Sequence, residues 1–453
     1  MIKIKSLRLE NFKCFENLPL FDFGRLTFIT GANSAGKSSL MYSILGVLQS
    51  DNFPFQFTAN GKYVKMGSYS DMVFCHEDDK NIVIDVIFEK DGVQYNTKTT
   101  LSKPDHGTQP VVSEFLCSAD YFNISLSRHI EDGSIEYLMD LRYDSSLNEL
   151  AKKKSDSFVD NFRNIVPKEG VKPEEMDEIL NMLRSWVGPI DVKGIKVIQT
   201  DKGLTTKDRN ASVAMSMVLS DVSELFKRMN RVLNFVTSFR SPAERVYLET
   251  TLKDGKLTSS GEGFVMELLN WRDKDRKKYE GIIEQLRNLG VLYDIEPRRL
   301  EGGNFQVDVK VRKDGVFANL SDVGFGVSQV LPVVVADMEL SNDSTLMAAQ
   351  PEIHLHPSVQ ANLGDYFVQQ INDSNKNYVV ETHSEYLLNR LRLEIAKGTL
   401  NADDIRVYYI NQEEGKTKLH QVKFCKNGQI EGAPEDFFET YMMDVMNLAM
   451  AAE

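Results

Sequence analysis

Apolar and polar positions change texture three times along the chain. Ile2, Ile4, Leu7 and Leu9 interleave with Lys3, Lys5 and Arg8, which predicts a half-buried first strand. The β-branched run Leu26 to Thr30 predicts a fully buried second strand. Beyond it, Leu40, Met41, Ile44, Leu45 and Leu48 share one helical face. Residues 51–80 are loop-like and polar, with Phe53, Phe55 and Phe57 either lining a pocket or simply packing. Ile82 to Phe88, Val93 to Leu101 and Val111 to Cys117 are β-rich, with a turn at Asp91-Gly92, and Glu136 to Tyr143 adds another strand. An antiparallel sheet beside the second strand is expected.

From Ser145 to Phe235 charges are dense and apolar residues recur at helical spacing. Met176, Ile179, Leu180 and Leu183 form one such set, and Val222, Leu225, Phe226 and Met229 another. This stretch reads as a helical insertion without the sustained heptads of a long coiled-coil arm. Past Phe235 the pattern is mixed. Ile282, Ile283, Leu286 and Leu289 form a helix face closed by Gly290, and Phe305, Val307, Val309 and Val311 alternate as a strand. Then follow an apolar helix within Leu320 to Ala336, a strand at Thr345 to Ala349, a helix from Ser358, a strand at Asn377 to Val380 and a helix from Ser384. That order implies a parallel sheet packed by helices, which the Leu26 strand completes. The expected fold is therefore α/β, a split head. Residues 1–144 form its N-terminal half with an antiparallel β lobe, 145–235 the helical insertion and 236–453 the C-terminal half.

The loop after the second strand carries chemistry. Gly31-Ala-Asn-Ser-Ala-Gly-Lys-Ser38 fits G-x-x-x-x-G-K-[ST] between a strand and a helix, the context a phosphate-binding loop requires. Gly31 and Gly36 permit backbone angles that aim successive N–H groups at one point, and the helix N-terminus adds partial positive charge. Lys37 is placed to reach the β- and γ-phosphates of ATP, and Ser38 to ligate Mg2+. Gly31, Asn33, Ser34, Ala35, Gly36, Lys37, Ser38 and Ser39 are the candidate nucleotide-binding residues.

Bulk numbers narrow the setting. The 453 residues suggest two or three lobes, and 42% hydrophobic with 26% charged residues is ordinary for a globular protein. A formal charge of −13 argues against a generally basic nucleic-acid coat. The four cysteines are scattered without a C-x-x-C pair, so neither a disulfide framework nor a zinc cluster follows and a reducing cytoplasm is the simplest home. The longest apolar run, Val330 to Ala336, is far too short to span a membrane. Lys152-Lys153-Lys154 reads as a solvated face rather than a nucleic-acid contact.

Three later stretches bear on the loop. Leu320-Ser-Asp-Val-Gly-Phe-Gly-Val-Ser-Gln329 precedes an apolar helix and is either a second anion-binding nest or a helix cap. Gln350-Pro-Glu-Ile-His-Leu-His-Pro357 ends an apolar strand. Its His354, His356 and Glu352 invite a zinc reading, but no further protein ligand is evident. Glu381-Thr-His-Ser384 ends the next strand, and His383 there is either a packed, capping residue or a γ-phosphate sensor.

Together these segments resemble the ATP-binding-cassette ATPases of the SMC/RecF/OLD type. Leu7-Arg-Leu-Glu-Asn-Phe-Lys-Cys-Phe15 is similar to that group's opening strand and Gly31 to Ser38 to its Walker A loop. Gly324 to Gln329 resembles the signature segment, Gln350 to Pro357 the Walker B end and Glu381 to Ser384 the switch histidine. Phe239-Arg-Ser-Pro-Ala-Glu-Arg245 resembles the Pro-Leu-Arg-x-x-Pro element that follows the insertion. The resemblance implies a homo-oligomer formed head to head, in which ATP on one P-loop is capped by Ser321, Gly324, Gly326, Ser328 and Gln329 of a second copy. It also implies catalytic roles for Lys37, Gln350 and His383.

One position departs from the pattern. Where the family carries a magnesium-holding acid before Gln350-Pro351, this chain has Ala349, preceded by Ala348. Alanine cannot order magnesium or position attacking water. The chain is thus either a natural ATP binder with impaired hydrolysis or one whose acid was replaced to trap ATP, and the otherwise intact site favours the second. About seventy residues follow Ser384, too few for the TOPRIM nuclease domain of the OLD nucleases, so a nuclease, if involved, is expected to be separately encoded. The functional expectation is an anti-phage sensor ATPase like the Septu and PARIS subunits, holding an effector nuclease and responding to a phage protein or DNA. A RecF-like DNA-repair clamp and a stand-alone ATP-gated scaffold are the alternatives.

Overall fold

The computed structural model describes residues 2–131, 134–165, 173–200, 203–249, 256–413, 416–434, 437 and 450. The chain divides into two compact units, one of Met1–Lys13, Gly46–Ala59 and Met66–Met229, the other of Cys14–Leu45, Asn60–Lys65 and Asn230–Glu453.

The first unit is built on an antiparallel sheet. Ile2–Phe12 pairs with Ile82–Lys90, and the sheet then runs in chain order through Val93–Ser102, Val111–Ala119, Phe122–Glu131, Ser134–Tyr143, Ile190–Thr200 and Gly203–Thr205. Helices Glu149–Ile165, Pro173–Trp186 and Arg209–Arg231 accompany it. Ala214, Met215, Val218, Val222, Leu225 and Met229 of the last helix are buried, and Phe226 meets Phe88 and Phe53 edge-on at 5.6 and 4.7 Å. Phe53 and Phe57 therefore pack rather than line a pocket.

The stretch expected to be helical over 145–235 thus also holds the strand Ile190–Thr200. Its alternation is hidden by an irregularity. Val192 faces Leu141 and Ile195 faces Met139, so the apolar spacing stretches from two to three around Gly194, which has φ +61°. The Gly194 N–H donates to Asp140 Oδ1 at 2.8 Å where the register slips. One extra residue cancels the period-2 signal on which a sequence reading depends.

In the second unit the elements of the parallel sheet and its helices are β1 (Leu26–Gly31), α1 (Lys37–Leu48), β2 (Leu233–Val236), α2 (Phe325–Glu339), β3 (Thr345–Ala349), α3 (Pro357–Asp373), β4 (Asn377–Glu381), α4 (Glu385–Lys397) and β5 (Ile405–Glu413). The strands run parallel in the order β2-β3-β4-β1-β5, and Lys416–Phe424 adds antiparallel to β5. The expectation of a sheet completed by the early Leu26 strand holds, since β1 lies between β4 and β5. Fully buried residues explain the uninterrupted apolar runs. Leu26, Phe28, Leu346, Ala348, Tyr378, Val380 and the α2 run Val330 to Ala336 belong to one core. Parallel strands align their carboxyl ends, so Gly31, Ala349 and Glu381 all finish at the same edge, where such sheets bind ligands. Among the described residues no helix is long and apolar enough to cross a membrane.

Candidate nucleotide site

The loop between β1 and α1 has the backbone its sequence demands. Gly31 has φ +131°, and a Cβ on it would lie 1.9 Å from the Ile410 carbonyl oxygen, so no side chain fits between β1 and β5. The Ala32 N–H donates to that same carbonyl at 3.0 Å. Gly36 has φ +105° and packs so closely on Cys14 that a Cβ would fall 2.1 Å from its sulfur. Ala35 is buried beneath the loop, while Asn33 and Ser34 are exposed above it.

A cavity of about 410 Å3 opens over this loop, lined by Asn33, Ser34, Gly36, Lys37, Ser38, Ser39, Gln350, Glu381 and His383. Eight of the nine were expected from the sequence; Glu381 was not. Lys37 Nζ donates to the Gly31 and Ala32 carbonyls at 3.2 and 2.6 Å, folded back over the loop. Ser38 Oγ donates to Glu381 Oε2 at 2.7 Å. Burial pushes the Lys37 amine below its usual pKa against the pull of Glu381. Burial likewise raises the Glu381 carboxyl, opposed by the Ser38 hydrogen bond and by Lys37. Each partner is held toward its neutral form because desolvation outweighs their attraction. Polyanionic phosphates with a divalent cation would supply the missing charges on both sides.

His383 lies exposed at the cavity mouth, with desolvation and the Lys37 charge keeping its imidazole below the ordinary pKa and thus neutral at pH 7. Its backbone N–H donates to Glu352 Oε1 at 2.8 Å, so a buried carboxylate from the segment after β3 fixes where the histidine stands. Gln350, with φ +47°, lines the same cavity.

The zinc reading of Glu352, His354 and His356 does not survive. Glu352 turns inward to the His383 loop, His354 packs edge-on against Phe325 at 5.0 Å, and His356 caps α3 by accepting the Ser358 N–H at 3.3 Å. Among the described residues no group of three His, Cys, Asp or Glu side chains is placed to hold a metal.

The signature residues do not line this cavity. Ser321 and Gly324 are exposed, and Gly326 lies so close to the His354 carbonyl that a Cβ would stand 2.5 Å from it. Ser328 and Gln329, expected to contact nucleotide, are buried instead. Ser328 Oγ donates back to the Phe325 carbonyl at 2.9 Å, a bond within α2. The α2 periodicity turns these two positions inward, which leaves Ser321, Gly324 and part of Gly326 open.

Arg240 has a role the sequence reading did not assign. Only 6% exposed, it donates from Nη1 to the Gln329 carbonyl at 3.0 Å and from Nη2 to the Ala349 and Gln350 carbonyls at 2.8 and 3.0 Å. One guanidinium thereby joins the signature helix to the end of β3. A cation in the loop after a buried strand was the available signal.

A glycine-cradled loop at the carboxyl edge of a parallel sheet, with a buried lysine, a serine at the helix start and a neutral histidine facing it, marks a P-loop ATPase. The family model for the AAA ATPase domain AAA_15 matches residues 2–388, and the chain belongs to that family. Among solved structures, the SMC head domain from Thermotoga maritima is similar at 12% identity and a TM-score of 0.40, covering 93% of this chain and 99% of that one. The Smc head domain of Pyrococcus furiosus, with an extended coiled coil and bound to the C-terminal domain of ScpA, is similar at 11% identity and a TM-score of 0.40, covering 99% and 100%. That of Pyrococcus yayanosii, with a coiled coil and joint, gives 11% identity and 0.41 over the same shares. None of the curated proteins compared with the chain matches it.

Proposed function

We propose that the chain is the ATP-binding sensor subunit of an anti-phage defence complex, closing head to head on ATP with a second copy and holding a separately encoded effector nuclease. The observation that carries the association is the half-built cavity. Walker A, Gln350 and His383 line it, while Ser321 and Gly324 of the same unit stay exposed and outside it. A second copy's Ser321 and Gly324 would cap the nucleotide, so ATP shifts the population toward closed pairs. The defence role rests on the resemblance to the Septu and PARIS ATPase subunits. The four free cysteines suit the reducing cytoplasm where such a complex would work.

Mg2+ and ATP fit the residues present: Ser38 would hold the ion, Lys37 the β- and γ-phosphates, and the P-loop N–H groups the remaining oxygens. Bound Mg2+ supplies charge neutralisation on the phosphates. Ala349 offers no carboxylate to polarise water and Gln350 only a neutral amide, so ATP is held longer than it is hydrolysed. Replacing Ala349 by Glu is expected to raise ATP turnover at least tenfold in a steady-state phosphate-release assay; an unchanged rate removes position 349 from the chemistry.

The defining experiment is co-purification of the tagged chain with its neighbouring gene products, with and without ATP. Recovery of a nuclease in ATP-dependent amounts is the expected result. Recovery of duplex DNA alone, with salt-sensitive binding, would replace this reading with the RecF-like clamp.

A further inference from the structure

We infer that Glu381 takes over the magnesium-holding role of the acid missing at Ala349. This deepens the proposed nucleotide site and rests on its binding Mg2+ and ATP. The register of the sheet supplies the first ground. Ala349 and Glu381 are direct partners across β3 and β4, and Glu381 in turn pairs with Ile29 of the P-loop strand. The acid has therefore moved one strand sideways at the same level, to the strand beside β1.

The second ground is distance. Glu381 Oε2 sits 2.7 Å from Ser38 Oγ. Octahedral Mg2+ with ligands at 2.0–2.1 Å places neighbouring ligand oxygens about 2.9 Å apart. The two side chains already stand nearly as far apart as one ion would hold them, and a shift of a few tenths of an ångström completes the fit.

Burial is the third. Glu381 is 4% exposed and follows the buried Tyr378, Val379 and Val380, an expensive place for a carboxylate that the Lys37 charge offsets only in part. A purely structural partner for Ser38 would be served equally by an uncharged amide. Ala349, by contrast, points only a methyl group into the same edge.

A division of labour follows. Glu381 with Ser38 keeps the metal, so nucleotide is bound as its magnesium complex, while the water-polarising function stays absent at positions 349 and 350. Tight metal–nucleotide binding and slow turnover then coexist in one site.

The test separates metal affinity from nucleotide affinity. Mn2+ binding to the protein carrying a non-hydrolysable ATP analogue is followed by electron paramagnetic resonance, and nucleotide binding is measured separately in EDTA. Glu381→Gln is expected to weaken Mn2+ at least fivefold while metal-free nucleotide affinity stays within threefold. Ala349→Asp in the otherwise unchanged chain is expected to alter Mn2+ affinity less than threefold, because the position is already served, yet to recover at least fivefold when added to Glu381→Gln. Mn2+ affinity less than fivefold weaker in Glu381→Gln overturns the inference. Should that variant lose metal-free nucleotide binding, Ala349→Asp alone decides: a gain of threefold or more means the site lacked an acid and Glu381 does not fill it. Failure of the unaltered chain to bind nucleotide in EDTA or with metal would instead sink the proposed function.

Discussion

Replacing Lys37 by alanine is expected to lower ATP affinity at least a hundredfold while leaving the empty protein as stable as before. The amine is the one cation lining the cavity among its nine described residues, and it lies folded onto the Gly31 and Ala32 carbonyls. Losing a charge-assisted contact to the β- and γ-phosphates in a desolvated site accounts for the drop. Stability should behave differently because burial holds the Lys37 pKa below its usual value. A lysine whose folded pKa is depressed opposes folding at neutral pH, and that penalty fades as pH rises through the folded toward the unfolded value. Removing it trades two hydrogen bonds for relief of desolvation, so the melting temperature without nucleotide should move by less than about 3 °C. Calorimetric titration with ATP and thermal melts of both proteins check the two halves. A large loss of stability would mean that the lysine is structural.

Arg240 is expected to show the opposite pattern. Its replacement by alanine leaves the Gln329, Ala349 and Gln350 carbonyls without their donor, and removes one of the weaker influences opposing the burial that raises the Glu352 carboxyl. Burial brings the guanidinium down to about 10, still charged at neutral pH, so the variant removes a charged donor from three carbonyls. Leaving three carbonyls without their charged donor costs roughly 3–5 kcal/mol, which at ~2 °C per kcal/mol for a unit of this size lowers the melting temperature by about 6–10 °C. Lysine at 240 keeps the charge but cannot span three carbonyls with one planar group, so it should recover less than half of the loss. Thermal melts rank the three proteins. Because Arg240 ties α2 to the end of β3, ATP should also restore less stability to the alanine variant than to the unaltered chain.

The contrast between these two residues shows which parts of the site a linear reading reaches. Lys37 sits in a contiguous strand–loop–helix where every contact lies within a few residues, so spacing alone placed it. Arg240 works on carbonyls 89 to 110 positions away, and Phe239 just before it is 88% exposed. Its resemblance to the Pro-Leu-Arg-x-x-Pro element marked the segment without saying what the arginine grips. Ser328 and Gln329 fail for a related reason. The motif assigned them to nucleotide, but the phase of α2 turns them into the core.

By itself the sequence determined the P-loop and its two obligatory glycines, the parallel α/β order from Thr345 onward, four of the five antiparallel strands between Ile82 and Tyr143 (it missed Phe122–Glu131) and the strand-end position that brings His383 to the P-loop cavity. These follow from local periodicity, turn chemistry and backbone sterics, which act over a few residues. Tertiary structure alone decided that Ile190–Thr200 is a strand, because a slip opposite Asp140 erases its alternation. It also decided that β5 closes the far side of the P-loop strand, pressing Ile410 against Gly31. Above all it brought Glu381 to within 2.7 Å of Ser38 across 343 residues. Which strand end faces which is set by pairing register between distant segments, and no pattern along the chain records that register.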